Sequence, residues 1–339
     1  METLCDFFHK SNLNTMYTEE HLLNLVNDYI ANIKYSAQPD GLYAPIKYTM
    51  AHGGKRIRPV LMLMAYNLYK EEVSTIVPNA VGLEVYHNFT LLHDDLMDKA
   101  DIRRGMPTVH KNWDANTAIL SGDAMLILAY KLMGDNKNEY FSEALDSFTE
   151  ATLGVCEGQQ YDMEFENRTD VTEVEYMEMI RLKTSLLLAY ALKIGAQLAG
   201  APAEDAQHLY NFGEKIGLAF QLQDDLLDVY GDPAIFGKKI GGDIICNKKT
   251  FMLINALNRS NEEQRKILAE WIEKQEFNAN EKIATVTRIY DEIDIKTICT
   301  KKIDSLFAQS LANLEKVHVA ESKKSTLKEF AINLMGRKH

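Results

Sequence analysis

Two acidic clusters with the same spacing constrain this chain more than any other feature of its sequence. Each follows the pattern Asp-Asp-x-x-Asp, at residues 94–98 and again at 224–228. An apolar stretch with helical spacing precedes each cluster, so the pattern predicts that each triplet lies on a helix. At about 100° per residue, the first and last aspartates of a triplet lie about 40° apart on one face. Each cluster therefore places two carboxylates together, one helical turn apart, at the end of an apolar face.

Carboxylates in this number, directed at one cavity, would repel each other and have raised pKa values unless cations lay between them. Their oxygens suit Mg²⁺, which keeps several waters and binds a few carboxylates together with substrate phosphates. A solvated helix end is the other interpretation of either cluster alone, but acidic residues at a helix C-terminus oppose the helix dipole. The matched pair favours a site that holds a diphosphate through magnesium ions.

The composition favours a mostly helical chain with a large core. Of 339 residues, 46% are hydrophobic, and only 7 prolines and 18 glycines interrupt the sequence. The alternation typical of strands does not recur at regular intervals, so we expect an all-α fold. No linker-like segment divides the chain, and we therefore expect a single domain over residues 1–339.

Helical periodicity predicts where the main helices lie. They are expected near 60–69, from 78 to the first cluster, and near 115–133, 140–166, 172–199 and 204–230, with four more after 250. Two segments are predicted to be loops. One is the polar stretch 101–107, directly after the first cluster, and the other is the glycine-rich stretch 231–249.

Charge and cysteine usage argue against several partners and locations. A net charge of −12 argues against nucleic acid as a partner. No apolar stretch reaches the length of a membrane span, and the N-terminus lacks the basic and apolar regions of a signal peptide. The four cysteines, Cys5, Cys156, Cys246 and Cys299, form no CxxC pair. We therefore expect a cytoplasmic protein without a membrane span.

Basic side chains occur in three places: in a glycine-supported loop, directly after the first cluster, and in the middle of a later helix. In that order they are Lys55 and Arg58, Arg103 and Arg104, and Lys183. Arginine forks match phosphate oxygens, and lysine adds a point charge. Each alone is more typical of a surface base. Together with two acidic clusters, they predict the non-metal half of a diphosphate-binding site.

Two further segments carry polar groups. Residues 241–250 are either an ordinary loop or a segment that brings Lys238, Lys248 and Asp243 over the second cluster, and we favour the second interpretation. At 158–162, the sequence Gly-Gln-x-x-Asp falls inside a helical pattern. A satisfied internal hydrogen-bond network is the competing account of that segment.

Taken together, these residues resemble the trans-isoprenyl diphosphate synthases, also called polyprenyl synthetases. The remaining motifs that carry the resemblance are Gly-Gly-Lys-Arg-x-Arg-Pro at 53–59, His87, Arg-Arg-Gly at 103–105, Lys-Thr at 183–184, Phe-Gln-x-x-Asp-Asp at 220–225, Gly-Gly-Asp at 241–243 and a basic end at 337–338. Each motif is weak alone, but their joint order and spacing are specific. The resemblance covers nearly the whole chain and is strongest to short-chain synthases that make geranylgeranyl or farnesyl diphosphate.

The resemblance implies an all-α bundle around one deep cavity, usually as a homodimer. It implies two or three Mg²⁺ ions, which Mn²⁺ can replace. By similarity, the metal ligands are Asp94, Asp98 and Asp224. The carboxylates that would support the ions and their waters are Asp95, Asp225 and Asp228.

The resemblance also implies two substrates, isopentenyl diphosphate and an allylic prenyl diphosphate. The residues that would bind the allylic diphosphate are Arg103, Lys183, Lys238 and Lys248. Those that would bind isopentenyl diphosphate are Lys55, Arg58, His87 and Arg104. Thr184 and Gln221 would lie along the reacting carbons. Because Gly-Lys-Lys at 237–239 is one residue longer than the family spacing, either Lys238 or Lys239 would fill the binding role.

In such a reaction, the metals and basic side chains neutralise the leaving diphosphate, so the allylic C–O bond ionises. The cavity excludes water, which would otherwise trap the carbocation. The double bond of isopentenyl diphosphate attacks, and a proton is lost, with the departing diphosphate as its expected acceptor. No protein nucleophile is required.

The length of the product should depend on the depth of the apolar cavity. Phe89 lies five residues before Asp94, about 7.5 Å deeper along the helix. In the family, an aromatic residue here tends to form the floor, and synthases of the fifteen-carbon product often have a second aromatic at the next position. Here that position is the smaller Thr90. This pattern resembles that of enzymes making the twenty-carbon geranylgeranyl product. Tyr86 also shapes the pocket, so the fifteen-carbon product, a longer product and a plain core role for Phe89 remain alternatives.

Three other functions fit part of the sequence. A class I terpene cyclase ionises the same kind of substrate but needs no second diphosphate site. An HD-type metal phosphohydrolase is suggested by His93-Asp94, yet the second cluster begins Gln223-Asp224 and lacks the further histidine. A non-catalytic partner subunit could lose one acidic cluster, whereas this chain keeps both.

Overall fold

The computed structural model describes residues 16–135, 138–232 and 240–336. Lys238 and Lys239, the basic end at 337–338, and Cys5 lie outside the described residues.

Helices dominate the first half of the described chain. They are α1 (Glu19–Ala31), α2 (Asp40–Ala51), α3 (Ile57–Asn67), α4 (Val77–Met97), α5 (Val109–Asn112), α6 (Ala115–Met133) and α7 (Phe141–Glu166). A short 3₁₀ segment, Val73–Ile76, precedes α4.

The second half is also helical, and the all-α prediction is confirmed. Its helices are α8 (Glu173–Ile180), α9 (Leu186–Leu198), α10 (Ala203–Tyr230), α11 (Gly242–Ile245), α12 (Phe251–Arg259), α13 (Glu262–Glu273), α14 (Ala279–Glu292), α15 (Ile295–Glu315) and α16 (Glu321–Met335).

Two details of the helix prediction were wrong. In the described part of the chain after residue 250 there are five helices rather than four, because the chain is extended at Ser260 and Asn261 starts α13 with a capping box to Gln264. The single helix predicted over 172–199 is interrupted by one π-helical turn, Arg181–Ser185, between α8 and α9. Such turns are rare and often lie at functional sites.

The segment predicted as a polar loop after the first cluster forms a tight hairpin. Strand β1 (Ile102–Arg103) pairs antiparallel with β2 (Met106–Pro107). The two residues between them, Arg104 and Gly105, have φ values of 51° and 78°. Positive φ at both central positions is typical of a type I′ hairpin turn. The hairpin fixes the direction of the two arginines at its tip.

The described residues divide into two compact units. The first unit draws on Met1–Leu145, Ala191–Ala206 and His318–Leu327. Within it, α4 is buried along most of its length and packs closely on α6. Gly82 permits this approach, since a β-carbon there would lie 2.9 Å from the carbonyl oxygen of Ala129. The unit therefore holds the first acidic cluster at the end of a tightly packed helix.

The second unit draws on Asp146–Tyr190, Gln207–Val317 and Lys328–His339. Its core is formed by buried residues of α8, α10, α12, α14 and α15, among them Tyr176, Leu222, Phe251, Ile289 and Cys299. This unit carries the second acidic cluster on α10. We retain the single domain over 1–339 as a prediction. Across the described residues, no helix is both long enough and apolar enough to cross a membrane.

Candidate active site

The first acidic cluster lies at the C-terminal end of α4, as predicted. Asp94 and Asp95 lie in its last turn, and Asp98 follows the final residue and donates its backbone N–H to the carbonyl of Asp94 at 2.8 Å. Asp95 is buried, Asp94 is partly exposed, and Asp98 is exposed. The first and last carboxylates are therefore accessible, while the middle one faces the protein.

Arg103, at the tip of the hairpin, binds this cluster. Its Nε donates to Oδ1 of Asp95 at 2.7 Å, and its Nη2 lies 3.5 Å from Oδ2 of Asp94. Burial raises the pKa of Asp95, and the positive charge of Arg103 acts in the opposite direction. The positive charge of Arg103 thus offsets part of the negative charge of the acidic cluster.

Two arginines lie where the glycine-supported loop enters α3, and they have different environments. Arg56 is buried, donating from Nη1 to Glu84 at 2.8 Å and from Nη2 to the carbonyl of Met50 at 2.8 Å. Arg58 lies two residues further, and its buried Nε has no hydrogen-bond partner. Burial lowers the pKa of Arg58 to about 10, against the opposing effect of Glu84. The guanidinium remains charged at neutral pH and is suited to an anion.

Arg104 and His87 lie close to Arg58. Nη1 of Arg104 donates to the carbonyl of Gly53 at 2.5 Å, and a β-carbon on Gly54 would lie 3.0 Å from that nitrogen. Burial, followed by the charges of Arg58 and Arg104, holds the pKa of His87 well below its ordinary value. His87 is therefore neutral at physiological pH and offers a hydrogen bond without adding charge.

The first unit thus brings together four of the predicted basic or polar residues with two aspartates. They are Arg58, His87, Arg103 and Arg104, with Asp94 and Asp95. Lys55 lies exposed in the loop before α3, three residues before Arg58. A pocket at this place is lined by Asp95, Arg103 and Arg104 together with Tyr48, His52 and Asn88. Because none of these last three belongs to a charged motif, the sequence pattern did not single them out.

The second acidic cluster lies inside α10. Asp224 and Asp228 are partly exposed, and Asp225 is buried. Oδ2 of Asp228 accepts the backbone N–H of Asp243 at 2.9 Å, and its carbonyl accepts the N–H of Gly241 at 2.6 Å. The segment 241–250 therefore lies against this cluster, as the favoured interpretation expects for Asp243, whereas Lys238 lies outside the described residues.

Asp243 and Lys248 bring opposite charges to the second cluster. Burial raises the pKa of Asp243 to about 7; Lys248 lowers it, whereas Asp225 and Asp228 raise it. The backbone N–H of Lys248 donates to the carbonyl of Asp243 at 2.9 Å. The sequence pattern predicts no site role for Asp243, although Gly-Gly-Asp after a glycine-rich stretch is a signal that could indicate one.

Lys183 and Thr184 lie in the π-helical turn. Nζ of Lys183 donates to Oδ2 of Asp162 at 2.6 Å, so the polar groups at 158–162 do enter an internal hydrogen bond. Gly158 is required for the approach, since a β-carbon there would overlap the backbone nitrogen of Lys183. The hydroxyl of Thr184 donates to Oε1 of Gln221 at 3.0 Å. The second unit thus gathers these residues around its own cluster.

The candidate floor residue Phe89 is partly exposed rather than enclosed in the core. Its ring lies 5.5 Å from that of buried Tyr86 and 4.8 Å from that of His93, centroid to centroid. The hydroxyl of Thr90 bonds the carbonyl of His87 at 2.8 Å and so stays close to the helix backbone. These contacts suit a ring that borders open space.

The acidic side chains can hold a divalent cation only together with other ligands. In the parts of the chain that are described, no three histidine, cysteine or acidic side chains converge closely enough to hold an ion alone. Magnesium, however, uses one or two carboxylates and completes its shell with waters and substrate phosphates. The accessible first and last aspartates of each cluster fit that requirement.

Comparison with known proteins agrees with this geometry. The family model for polyprenyl synthetases matches residues 39–291. The geranylgeranyl diphosphate synthase of Methanosarcina mazei is 42% identical over 66% of this chain and 69% of that enzyme. The geranylfarnesyl diphosphate synthase of Natronomonas pharaonis is 39% identical over 68% of this chain and 73% of that enzyme.

Similarity extends to a solved structure. A crystal structure of a geranylgeranyl pyrophosphate synthase has a TM-score of 0.90 and 41% identity, covering 96% of this chain and 100% of that one. The match to the family model covers well over half of the sequence. This chain therefore belongs to the polyprenyl synthetase family and is a prenyltransferase of the isoprenyl diphosphate synthase type.

Proposed function

We propose that this prenyltransferase condenses isopentenyl diphosphate with an allylic diphosphate to give a short-chain all-trans product, geranylgeranyl diphosphate. The observation that carries the proposal lies in the first unit. There, Arg103 is paired with the aspartate cluster, while Arg58, Arg104 and neutral His87 form a basic group of their own. Two adjacent groups of basic side chains suit an enzyme that binds two diphosphates.

Enzymes of this type generally use a divalent metal, and we propose Mg²⁺ here. Asp94, Asp98 and Asp224 would hold it, because they are the accessible first or last carboxylates of the two clusters. When bound, the metal would neutralise charge on the leaving diphosphate. Asp95 and Asp228 would support that arrangement.

The chain's own residues would share the remaining work. Arg103, Lys183 and Lys248 would hold the allylic diphosphate, with Lys238 or Lys239 as a further base. Lys55, Arg58, His87 and Arg104 would orient isopentenyl diphosphate so that its double bond approaches the allylic carbon. Preorganised positive charge favours departure of an anion because it costs no reorganisation at the moment of reaction. The departing diphosphate would accept the proton lost at the end.

The twenty-carbon product is supported by Phe89 and its surroundings. A partly exposed ring next to Tyr86 is suited to end an apolar cavity, and the small Thr90 leaves room that a second aromatic would fill. Relatives of nearly equal identity are named for geranylgeranyl and geranylfarnesyl diphosphate. These sequence identities therefore support a short-chain product but do not distinguish twenty carbons from twenty-five. The choice of twenty carbons rests on Phe89, Thr90 and Tyr86.

One assay tests the proposal against its rivals. The protein is supplied with Mg²⁺ and farnesyl diphosphate, with and without labelled isopentenyl diphosphate, and the products are identified by mass. Label in a twenty-carbon diphosphate supports the proposal. A cyclised hydrocarbon formed without isopentenyl diphosphate would indicate a terpene cyclase, and no product would indicate a non-catalytic subunit.

We further propose that the chain is a homodimer, with a second copy covering α6. Ile119, Leu120 and Ile127 are 46%, 61% and 71% exposed on that helix, and Leu120 and Ile127 lie two turns apart. Size-exclusion chromatography with light scattering should give twice the mass of one chain, and the Ile127→Lys variant should have a smaller measured mass.

We also propose a cytoplasmic location, which the free thiols of Cys156, Cys246 and Cys299 support.

A further inference from the structure

Tyr176 makes a buried hydrogen bond to the second acidic cluster. It lies on α8, which begins with a capping box between Thr172 and Glu175, and it is 1% exposed. Its hydroxyl donates to Oδ2 of Asp225. Burial, together with the negative charge of Asp225, raises the pKa of Tyr176 well above its ordinary value. The phenol therefore keeps its proton and acts as a fixed donor to the carboxylate.

The other oxygen of Asp225 fixes an amide. Nε2 of Gln221 donates to Oδ1 of Asp225 at 2.9 Å. The amide oxygen of Gln221 then accepts the hydroxyl proton of Thr184 at 3.0 Å. Because an amide nitrogen cannot accept and its oxygen cannot donate, this pattern permits only one orientation of the Gln221 side chain.

Asp225 differs from the aspartates on either side of the motif. It is 3% exposed, whereas Asp224 and Asp228 are partly exposed. At about 100° per residue, Asp225 points well away from the face that Asp224 and Asp228 share. Both of its oxygens accept hydrogen bonds from protein donors. This environment suits a carboxylate that holds neighbouring side chains in place rather than one that binds a cation.

We propose that Tyr176 and Asp225 are positioning residues that fix Gln221 and Thr184 for the prenyl transfer, and that Asp225 does not act through the metal ions. This inference rests on the proposed function, in which Gln221 and Thr184 lie along the reacting carbons. The hydroxyl proton of Thr184 is committed to Gln221, so this hydroxyl presents oxygen lone pairs to its other side. Lone pairs stabilise positive charge developing on an allylic carbon. Without the tyrosine hydroxyl, the Asp225 carboxylate would be free to rotate. The Gln221 amide that it holds would then be free to rotate as well.

A double-mutant cycle tests the link between Tyr176 and Gln221. Tyr176→Phe should lower kcat about tenfold, with both Michaelis constants within about twofold of wild type. Gln221→Met keeps the length of the side chain but removes both of its hydrogen bonds. The double variant, Tyr176→Phe with Gln221→Met, should have the same kcat as Gln221→Met alone. Tyr230→Phe is the matched control, because it removes another tyrosine–aspartate bond of the same unit, to Asp291, outside this network. Its kcat should match wild type.

Binding of Mn²⁺ without turnover separates positioning from metal support. With inorganic diphosphate as the only anion, free Mn²⁺ is counted by electron paramagnetic resonance. Asp225→Asn should bind Mn²⁺ within about twofold of wild type, while Asp224→Asn should bind it at least tenfold more weakly. These variants also serve if Tyr176→Phe does not fold.

Several results would overturn the inference. A kcat of Tyr176→Phe equal to wild type, losses that multiply in the double variant, or weakened Mn²⁺ binding by Asp225→Asn would each reject it. Failure of the proposed function is recognised separately, because wild type itself would then form no prenyl diphosphate from isopentenyl diphosphate. In that case the positioning role is rejected with it.

Discussion

The ring of His93 occupies the space that a β-carbon on Gly122 would fill. His93 lies on α4 and Gly122 on α6, and Nε2 of His93 also lies 3.2 Å from the carbonyl oxygen of Ile119. On its other side, the histidine packs edge to face on Phe89. A glycine on one helix thus sets the position of an aromatic pair on its neighbour.

Gly122→Ala should displace His93 and, through it, Phe89. We expect a loss of about 1–3 kcal/mol in the free energy of unfolding, as is typical of an overpacked core. If Phe89 forms the floor, the displaced ring should narrow the cavity and shift products towards shorter chains. Gly41→Ala is the control, since its β-carbon would meet no atom within 4 Å. An unchanged melting temperature and product mixture for Gly122→Ala would contradict the packing argument.

Phe89→Ala should lengthen the products by at least one five-carbon unit. Removing the ring opens apolar space that can stay dry and accept hydrocarbon. The stability loss should be smaller than the ~3–5 kcal/mol of a fully buried phenylalanine, because this ring is partly exposed. Product mass spectra measure the outcome, and the rate of the first condensation should change little. Spectra identical to wild type would show that other residues build the floor.

Activity should require a divalent cation and both acidic clusters. Asp94→Ala and Asp224→Ala should each lower turnover by orders of magnitude while circular dichroism shows an intact helical fold. Chelation should abolish activity, and added Mg²⁺ should restore it. If either variant retained more than about a tenth of wild-type turnover, a loss below about 1.4 kcal/mol in barrier stabilisation, its proposed metal role would be wrong.

Substitution of Arg58 should affect substrate binding, whereas substitution of Arg56 should affect stability. Arg58→Ala should chiefly raise the Michaelis constant for isopentenyl diphosphate, because its guanidinium lies beside the basic group formed with Arg104 and His87. Arg56→Ala should instead cost about 3–5 kcal/mol in stability, since it leaves Glu84 buried without its ion pair. Steady-state kinetics and denaturant unfolding of both variants measure the difference. Equal effects of Arg58→Ala on both substrates would remove support for separate sites.

His87 should make the protein less stable as the pH falls. Its folded pKa is depressed, so below about 6.5 the unfolded chain binds a proton that the folded chain does not. Stability is therefore present above the unfolded pKa and is lost at lower pH, by up to about 1.4 kcal/mol per unit for one proton. Unfolding measured from pH 7.5 to 5.5 should show a shallower loss for His87→Gln than for wild type. Parallel curves would contradict this assignment.

The sequence by itself determined what depends on neighbours along the chain. Helical spacing placed Asp94 and Asp98, and likewise Asp224 and Asp228, one turn apart at the accessible side of their helices, because positions four apart share a face whatever surrounds them. The paired motifs therefore predicted both the all-α fold and the acidic part of the candidate site.

Local pattern was less informative where backbone geometry departs from the regular helix. The hairpin at Arg104 and Gly105 was predicted only as a loop, and the turn that carries Lys183 and Thr184 was predicted as plain helix. Both depend on close packing: Arg104 is held on Gly53, and Gly158 makes room for the backbone of Lys183. Contacts of this kind leave no periodic signal.

Only the tertiary structure decided how chemically similar residues divide their roles. Arg56 and Arg58 look alike in sequence, but Glu84, 28 residues away, pairs with one of them in the interior. Asp225 is distinguished from its neighbours by Tyr176, 49 positions earlier in the chain. Burial makes an unpaired charge costly, so the folded core selects which groups must be neutralised by the protein and which can face a ligand.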